Sequence, residues 1–228
     1  MNFERYADEY MKHSVVQNEL AQHIAKKIGN TNSVLDLGCG GGAIWNALDV
    51  KPNSFIGLDI SQNMLSLHPV SNNIKLICDS FDNQTLWNSI DFFETIVSCG
   101  ALQWSNDLEK ALNNIVQKSS KSILAIFTDG TLKSMRSISK QVTFLPNAQW
   151  LEQKFQDIFV NIDFEIYRYR LYFSNKKMMF KHLKLTGVHF GERLDHRSAK
   201  ALYDGYKLDY LEFEVFMASS AKNSFSKS

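Results

Sequence analysis

Prolines are scarce, three in 228 residues, and cysteines equally so. With a hydrophobic fraction of 44%, so few prolines exclude a proline-rich linker protein and predict an ordered globular chain. Cys39, Cys78 and Cys99 are odd in number, widely spaced and set in apolar surroundings. That pattern argues against a disulfide framework or a zinc site, and predicts reduced thiols in a cytoplasmic protein. No apolar run approaches the ~18 residues of a membrane span; "SILAIF" is the longest strand-like block. The opening "MNFERYADEY" is aromatic and acidic, unlike a secretory signal. Internal repeats are absent too. The length suits a single domain, residues 1–228, with a substantial core.

The net charge of +1 conceals an asymmetry. Residues 1–110 carry 7 Lys/Arg against 13 Asp/Glu, and residues 111–228 carry 18 against 11. The excess concentrates in residues 168–200, where nine Lys/Arg meet only Glu192 and Asp195. Such a segment is either a solvated helical face or a docking surface for an acidic partner.

Val16, Leu20, Ile24 and Ile28 step by four and predict an amphipathic helix that Gly29-Asn30 ends. "SVLDLG", "SFIGLDI", "NIKLICD", "ETIVSCG" and "SILAIF" read as five strands, the first three interleaved with short helices. Ser61 can cap the helix of "QNMLSL". A clean helical face through Leu108, Ala111, Leu112, Ile115 and Val116 separates the fourth strand from the fifth. Strands alternating with helices predict an α/β fold, a parallel sheet with helices on both faces. "WLEQKFQDIF" reads as a further helix. The strand "NIDFEIYRYRLYF" follows, and its apolar phase moves from even to odd positions, which predicts a bulge. Leu211, Phe213, Val215 and Met217 mark a last strand, preceded by a helical insertion at residues 175–207 beside the site mouth.

Four glycines fall within five residues of "VLDLGCGGGAI", after a strand and before a helix, where backbone can press against a ligand. Gly38-x-Gly40-x-x-Ala43 also fits the dinucleotide fingerprint, with Asp59 about 20 residues on. Asp36 separates the two options. Beside a pyrophosphate it would cost a few kcal/mol at ~4–5 Å with an effective dielectric near 20. Beside S-adenosylmethionine, which has an ammonium, a sulfonium and no phosphate, it is favourable. Asp59 at the end of strand two could then hold the ribose hydroxyls, and Asp79 after strand three the adenine amino group.

These motifs resemble the class I S-adenosylmethionine-dependent methyltransferases: "LDLGCGGG" is similar to their first motif, "GLDIS" to the acidic second, and "CDS" and "SCGALQW" to the next two. More narrowly, "FERYADEYMKHSVVQNELA", "ALQW", "FKHLKLTGVH" and "LEFEVFMASSAK" resemble the BioC family, malonyl-acyl-carrier-protein O-methyltransferases of biotin synthesis. Gly41 stands where that family usually has Thr, and residues 128–150 lack an obvious counterpart of its glycine-rich stretch.

The resemblance implies a Rossmann-like fold with a mostly parallel seven-stranded sheet, lid helices in residues 1–30 and a cofactor-binding core in residues 31–130. It implies S-adenosylmethionine bound by Tyr10, Gln17, Asp36, Gly38, Cys39, Gly40, Asp59, Ile60, Met64, Asp79, Ser80, Gly100 and Ala101, with Tyr10 positioning. It implies methyl transfer to the carboxylate of a malonyl thioester on acyl carrier protein, or on coenzyme A. Trp104 would wall the acceptor pocket, and Arg168, Arg170, Lys181, Lys184 and Arg193 are candidates for the anionic substrate. The acidic carrier would dock on residues 168–200. A carboxylate with a pKa near ~4 is already a nucleophile at neutral pH, so neither a general base nor a metal is expected. The rival readings are another small carboxylate or carbon acceptor, RNA methylation, and a nicotinamide-dependent oxidoreductase; membrane association is not expected.

Overall fold

The computed structural model describes residues 14–186 and 194–220, the side chains of 185 and 186 excepted. Helix α1 (Val15–Ile28) buries Val16, Leu20, Ala21, Ile24 and Ile28 along one stripe and stops at Gly29, whose φ of 66° a side chain would resist. Strand β1 (Ser33–Leu37) is buried almost throughout, as a central parallel strand must be. It is followed by α2 (Ala43–Ala47), β2 (Ser54–Asp59), α3 (Gln62–Leu65), β3 (Ile74–Cys78), α4 (Gln84–Ser89) and β4 (Phe93–Cys99). Ser61 caps α3 as expected, its hydroxyl accepting from Met64 N at 3.3 Å. A 3-10 turn (Leu102–Trp104), α5 (Leu108–Lys118), β5 (Ser119–Phe127), α6 (Lys133–Ser139), α7 (Ala148–Ile158) and β6 (Ile162–Tyr172) come next. Then α8 (Lys176–Thr186) and α9 (His196–Gly205) precede β7 (Tyr210–Ser220). The insertion expected at residues 175–207 is thus helical where it is described.

The seven strands form one sheet in the order β3-β2-β1-β4-β5-β7-β6. All neighbours from β3 to β5 are parallel, and β7 runs antiparallel between β5 and β6. The order reverses between β1 and β4, and ligands of open α/β sheets bind outside the strand ends at such a switch point. One apolar layer joins α1, α2, α8 and α9 to one face, and a second joins α4, α5 and α7 to the other.

The bulge expected in β6 is absent. Its ladder with β7 keeps one register from Ile162↔Ser220 to Tyr172↔Tyr210. The phase changes because the two ends of this edge strand are covered on opposite faces. Ile162 and Phe164 pack into the α7 layer, whereas Tyr167, Tyr169 and Leu171 pack into the α1 layer. Helices α4 and α6 escape the periodicity reading because two turns show no repeat. Among the described residues, no helix is long and apolar enough to cross a membrane.

Candidate active site

Asp36 is the fourth residue of β1, in register with Gly57 on β2 and Val97 on β4. It is 1% exposed, and neither carboxyl oxygen has a hydrogen-bond partner among the described residues. Burial, and then the charge of Asp59, push its pKa up to about 8. It lines a pocket with Gln17, Gly38, Gly40, Met64 and Cys99. Residues 38–42 turn sharply, with positive φ at Gly38, Gly40 and Gly42.

The amides of this loop point into the protein. Gly38 N and Cys39 N both donate to Leu58 O, at 2.7 and 3.0 Å. Gly40 N donates to Asp59 Oδ2 at 2.8 Å, and Gly42 N to Cys39 O at 3.0 Å. A pyrophosphate requires such amides turned toward it, so the loop is a poor dinucleotide cradle despite its spacing. Any contact from Gly38, Cys39 or Gly40 to a ligand falls to carbonyls and Cα hydrogens, which suits a cation.

Asp59 ends β2. Its Oδ1 accepts from Ser61 N at 2.9 Å while Oδ2 holds the loop, so each oxygen keeps one lone pair for a diol. Burial raises its pKa, and the backbone amides of Ser61, Gly40 and Ile60 oppose the shift. Ile60 beside it is 72% exposed and offers an apolar surface for an aromatic ring. Asp79 is more occupied than the sequence suggests. Ser80 N donates to Oδ1 at 2.7 Å, and Asn83 Nδ2 reaches Oδ1 at 3.1 Å and Oδ2 at 2.9 Å. One acceptor direction on Oδ2 is left for a ligand. Across the switch point, Ala101 lies so close to Gly38 that a Cβ there would come within 2.2 Å of its own Cβ. Gly100 N donates to Ala125 O at 2.9 Å and anchors that turn to β5. The set fits S-adenosylmethionine: an orphaned carboxylate for the ammonium, a half-satisfied carboxylate for the ribose and an open apolar face for the adenine.

The acceptor-side candidates separate. Trp104 is half-exposed and lies against Phe144, ring centroids 4.6 Å apart. Arg168 Nε donates to Glu214 Oε2 at 2.9 Å, and Arg170 lies 4.9 Å over the Tyr210 ring. Both arginines line an open cleft of about 900 Å³ with Lys133, Ser134, Glu212 and Glu214. Lys181 and Lys184 instead lie on the exposed face of α8. Tyr10 and Arg193 fall outside the described residues. Ser14, Asn18 and Cys99 also line the cofactor-side pocket and were not singled out from sequence. The signal was present, since Ser14 and Asn18 flank Gln17 on α1 and Cys99 precedes Gly100. Lys133 belongs to α6, which left no trace in the periodicity. Burial and the neighbouring Asp36 charge raise the pKa of Cys39 and Cys99, which keeps both as unreactive thiols. Among the described residues no cluster of His, Cys, Asp or Glu could hold a metal.

Known proteins agree with this geometry. The profile of a family described as a methyltransferase domain matches residues 3–172. A malonyl-[acyl-carrier protein] O-methyltransferase of Calditerrivibrio nitroreducens is 25% identical over 85% of this chain and 80% of its own length. The protein of that name from Bacillus cytotoxicus is 28% identical over 48% of this chain. The match spans 41% of that relative, less than half its length, and 48% of a Bacillus cereus counterpart. Among solved structures, the YcgJ protein of Bacillus subtilis superposes with a TM-score of 0.62 at 13% identity, covering 90% of this chain and 98% of its own. The plantazolicin methyltransferase BpumL, solved with S-adenosylhomocysteine, gives 0.50 at 16% identity, covering 95% and 87%. The family match spans most of the sequence: the chain belongs to the methyltransferase-domain family.

Proposed function

We propose that the protein transfers a methyl group from S-adenosylmethionine to the free carboxylate of a malonyl thioester on acyl carrier protein, in the pimeloyl branch of biotin synthesis. The orphaned, fully buried carboxylate of Asp36 at the glycine loop carries the donor half of this reading. The names of the curated relatives and the BioC-like segments support the acceptor half.

When bound, S-adenosylmethionine supplies an electrophilic methyl group on a cationic sulfur. Asp36 receives the donor's ammonium and becomes a stable carboxylate only in its company. Asp59 takes the ribose hydroxyls on its free lone pairs, and Ile60 meets the adenine. No side chain need remove a proton, because the acceptor carboxylate is already ionised at neutral pH. The protein's task is alignment at about 3 Å and exclusion of water, which otherwise stabilises the separated charges. Arg168 and Arg170 are suited to the phosphate of the carrier's phosphopantetheine arm along their cleft, while Lys181 and Lys184 belong to the surface that meets the acidic carrier.

Incubation with methyl-labelled cofactor and malonyl-carrier protein tests the proposal. Base-labile label on the carrier is expected, with faster turnover than on malonyl-coenzyme A. An unlabelled carrier rejects the substrate assignment.

A further inference from the structure

Among the described residues, the buried polar atoms without a hydrogen-bond partner include both oxygens of Asp36, Oε1 of Gln103 and the hydroxyl of Tyr169. Buried polar groups are rarely left unpaired, and each one that is calls for an explanation. The donor's ammonium accounts for Asp36. Gln103 is pinned in place by its Nε2, which donates to Gly100 O at 2.6 Å. Nothing in the binding of the donor accounts for Tyr169.

Its position is defined by the sheet. Tyr169 is in register with Phe213 on β7. Phe213 meets Phe127 of β5 at 6.3 Å, and Phe127 fills the space a Gly100 side chain would need. The phenol packs into the layer beneath α1, where the charge of Glu19 acts on it. Burial first, then the charge of Glu19, push its pKa up to about 12, so at neutral pH it keeps its proton and can donate. Its neighbour on the same face, Tyr167, differs, because its hydroxyl donates to Glu165 at 2.6 Å. Asp36 and Asp59, the residues proposed for the donor, stand on β1 and β2, whereas Tyr169 stands on β6.

We propose that Tyr169 is a substrate-binding residue whose hydroxyl donates to an oxygen of the methyl acceptor. The inference rests on the methyl-transfer reading and adds a residue that holds the acceptor.

Tyr169→Phe removes the hydroxyl alone, and two measurements judge it. Without ligand, the variant should melt at the wild-type temperature or above, since a buried hydroxyl without a partner adds nothing favourable. A fall of more than ~3 °C would reveal an internal partner and overturn the assignment. In turnover, the KM for malonyl-carrier protein should rise about tenfold, the effect of one hydrogen bond to a charged group, with S-adenosylhomocysteine affinity by calorimetry within twofold of wild type. An unchanged KM and kcat, or an equal loss of S-adenosylhomocysteine affinity, overturns it. If the wild-type enzyme itself leaves the carrier unlabelled, the proposed substrate fails, and the comparison moves to the labelled acceptors of a cell extract. There, weaker labelling by the variant at limiting acceptor supports the Tyr169 assignment, and equal labelling overturns it.

Discussion

At Asp36 the cost of burying a carboxylate is concentrated in one side chain. A carboxyl group this deep keeps its proton in the ligand-free protein, because burial penalises the charge and Asp59 adds to the penalty. Folded, it titrates near 8; unfolded, it returns to the ordinary carboxylate range near 3.8. The folded state therefore binds the extra proton between those limits. The stability Asp36 contributes is complete below pH ~4 and is lost as pH rises through about 8. An incoming ammonium reverses the preference, so donor binding at pH 7 should expel close to one proton. Calorimetry of S-adenosylhomocysteine binding in buffers of different ionisation enthalpy reads that number directly. Wild type should show a release that shrinks above pH 8, and Asp36→Asn should show none from this site. A wild-type enthalpy independent of buffer at pH 7 would remove Asp36 from the ammonium site.

The glycine loop works as an element because two loops meet there with no room between them. Gly38 has a φ of 75° and stands against Ala101, so an added methyl group must part the ends of β1 and β4. Backbone strain of about 1 kcal/mol and overpacking of about 1–3 kcal/mol combine to roughly 2–4 kcal/mol for Gly38→Ala. Gly29, after α1, has φ 66° and ψ −153°, a region left almost entirely to glycine, with nothing within 4 Å of an added Cβ, so Gly29→Ala carries strain without crowding, about 1–3 kcal/mol. Urea denaturation of the two variants separates strain from crowding, and equal midpoints would discard the loop-contact argument. The same loop marks where sequence reading ends. Asp36, Gly38 and Asp59 are legible because residue type and local spacing encode them. The inward turn of the amides is not, since their acceptor, Leu58, lies 20 residues away on the neighbouring strand. Asp79 is half-legible: its place at a strand end can be read, but its engagement by Asn83 arises in the fold. The β6 phase change is legible as a pattern and misleading as a bulge, because periodicity reports which face is covered and not by which layer.

Across the whole molecule, charge and topology converge on the two-helix insertion before β7. Helices α8 and α9 anchor to the sheet through Met179, Leu183 and Leu202, which frees their outer faces. Lys177, Lys181 and Lys184 recur at i, i+4 and i+7 along exposed α8, and Arg197 and Lys200 are exposed on α9. A basic surface on an insertion near the strand ends would guide an acidic carrier without touching the chemistry, since rim charges act mainly on association. Lys181→Glu with Lys184→Glu should therefore raise the KM for malonyl-carrier protein about tenfold at low salt. The difference from wild type should shrink as ionic strength approaches 1 M, where the Debye length falls to about 3 Å. Turnover of malonyl-coenzyme A, which bears the same acyl group without the protein, should not change. Neither lysine lies in the cofactor pocket, so S-adenosylhomocysteine affinity serves as the check on folding. Equal loss on carrier and coenzyme A would place these lysines at the acyl group instead of the docking surface. No loss on either would return the charge excess to a solvated face.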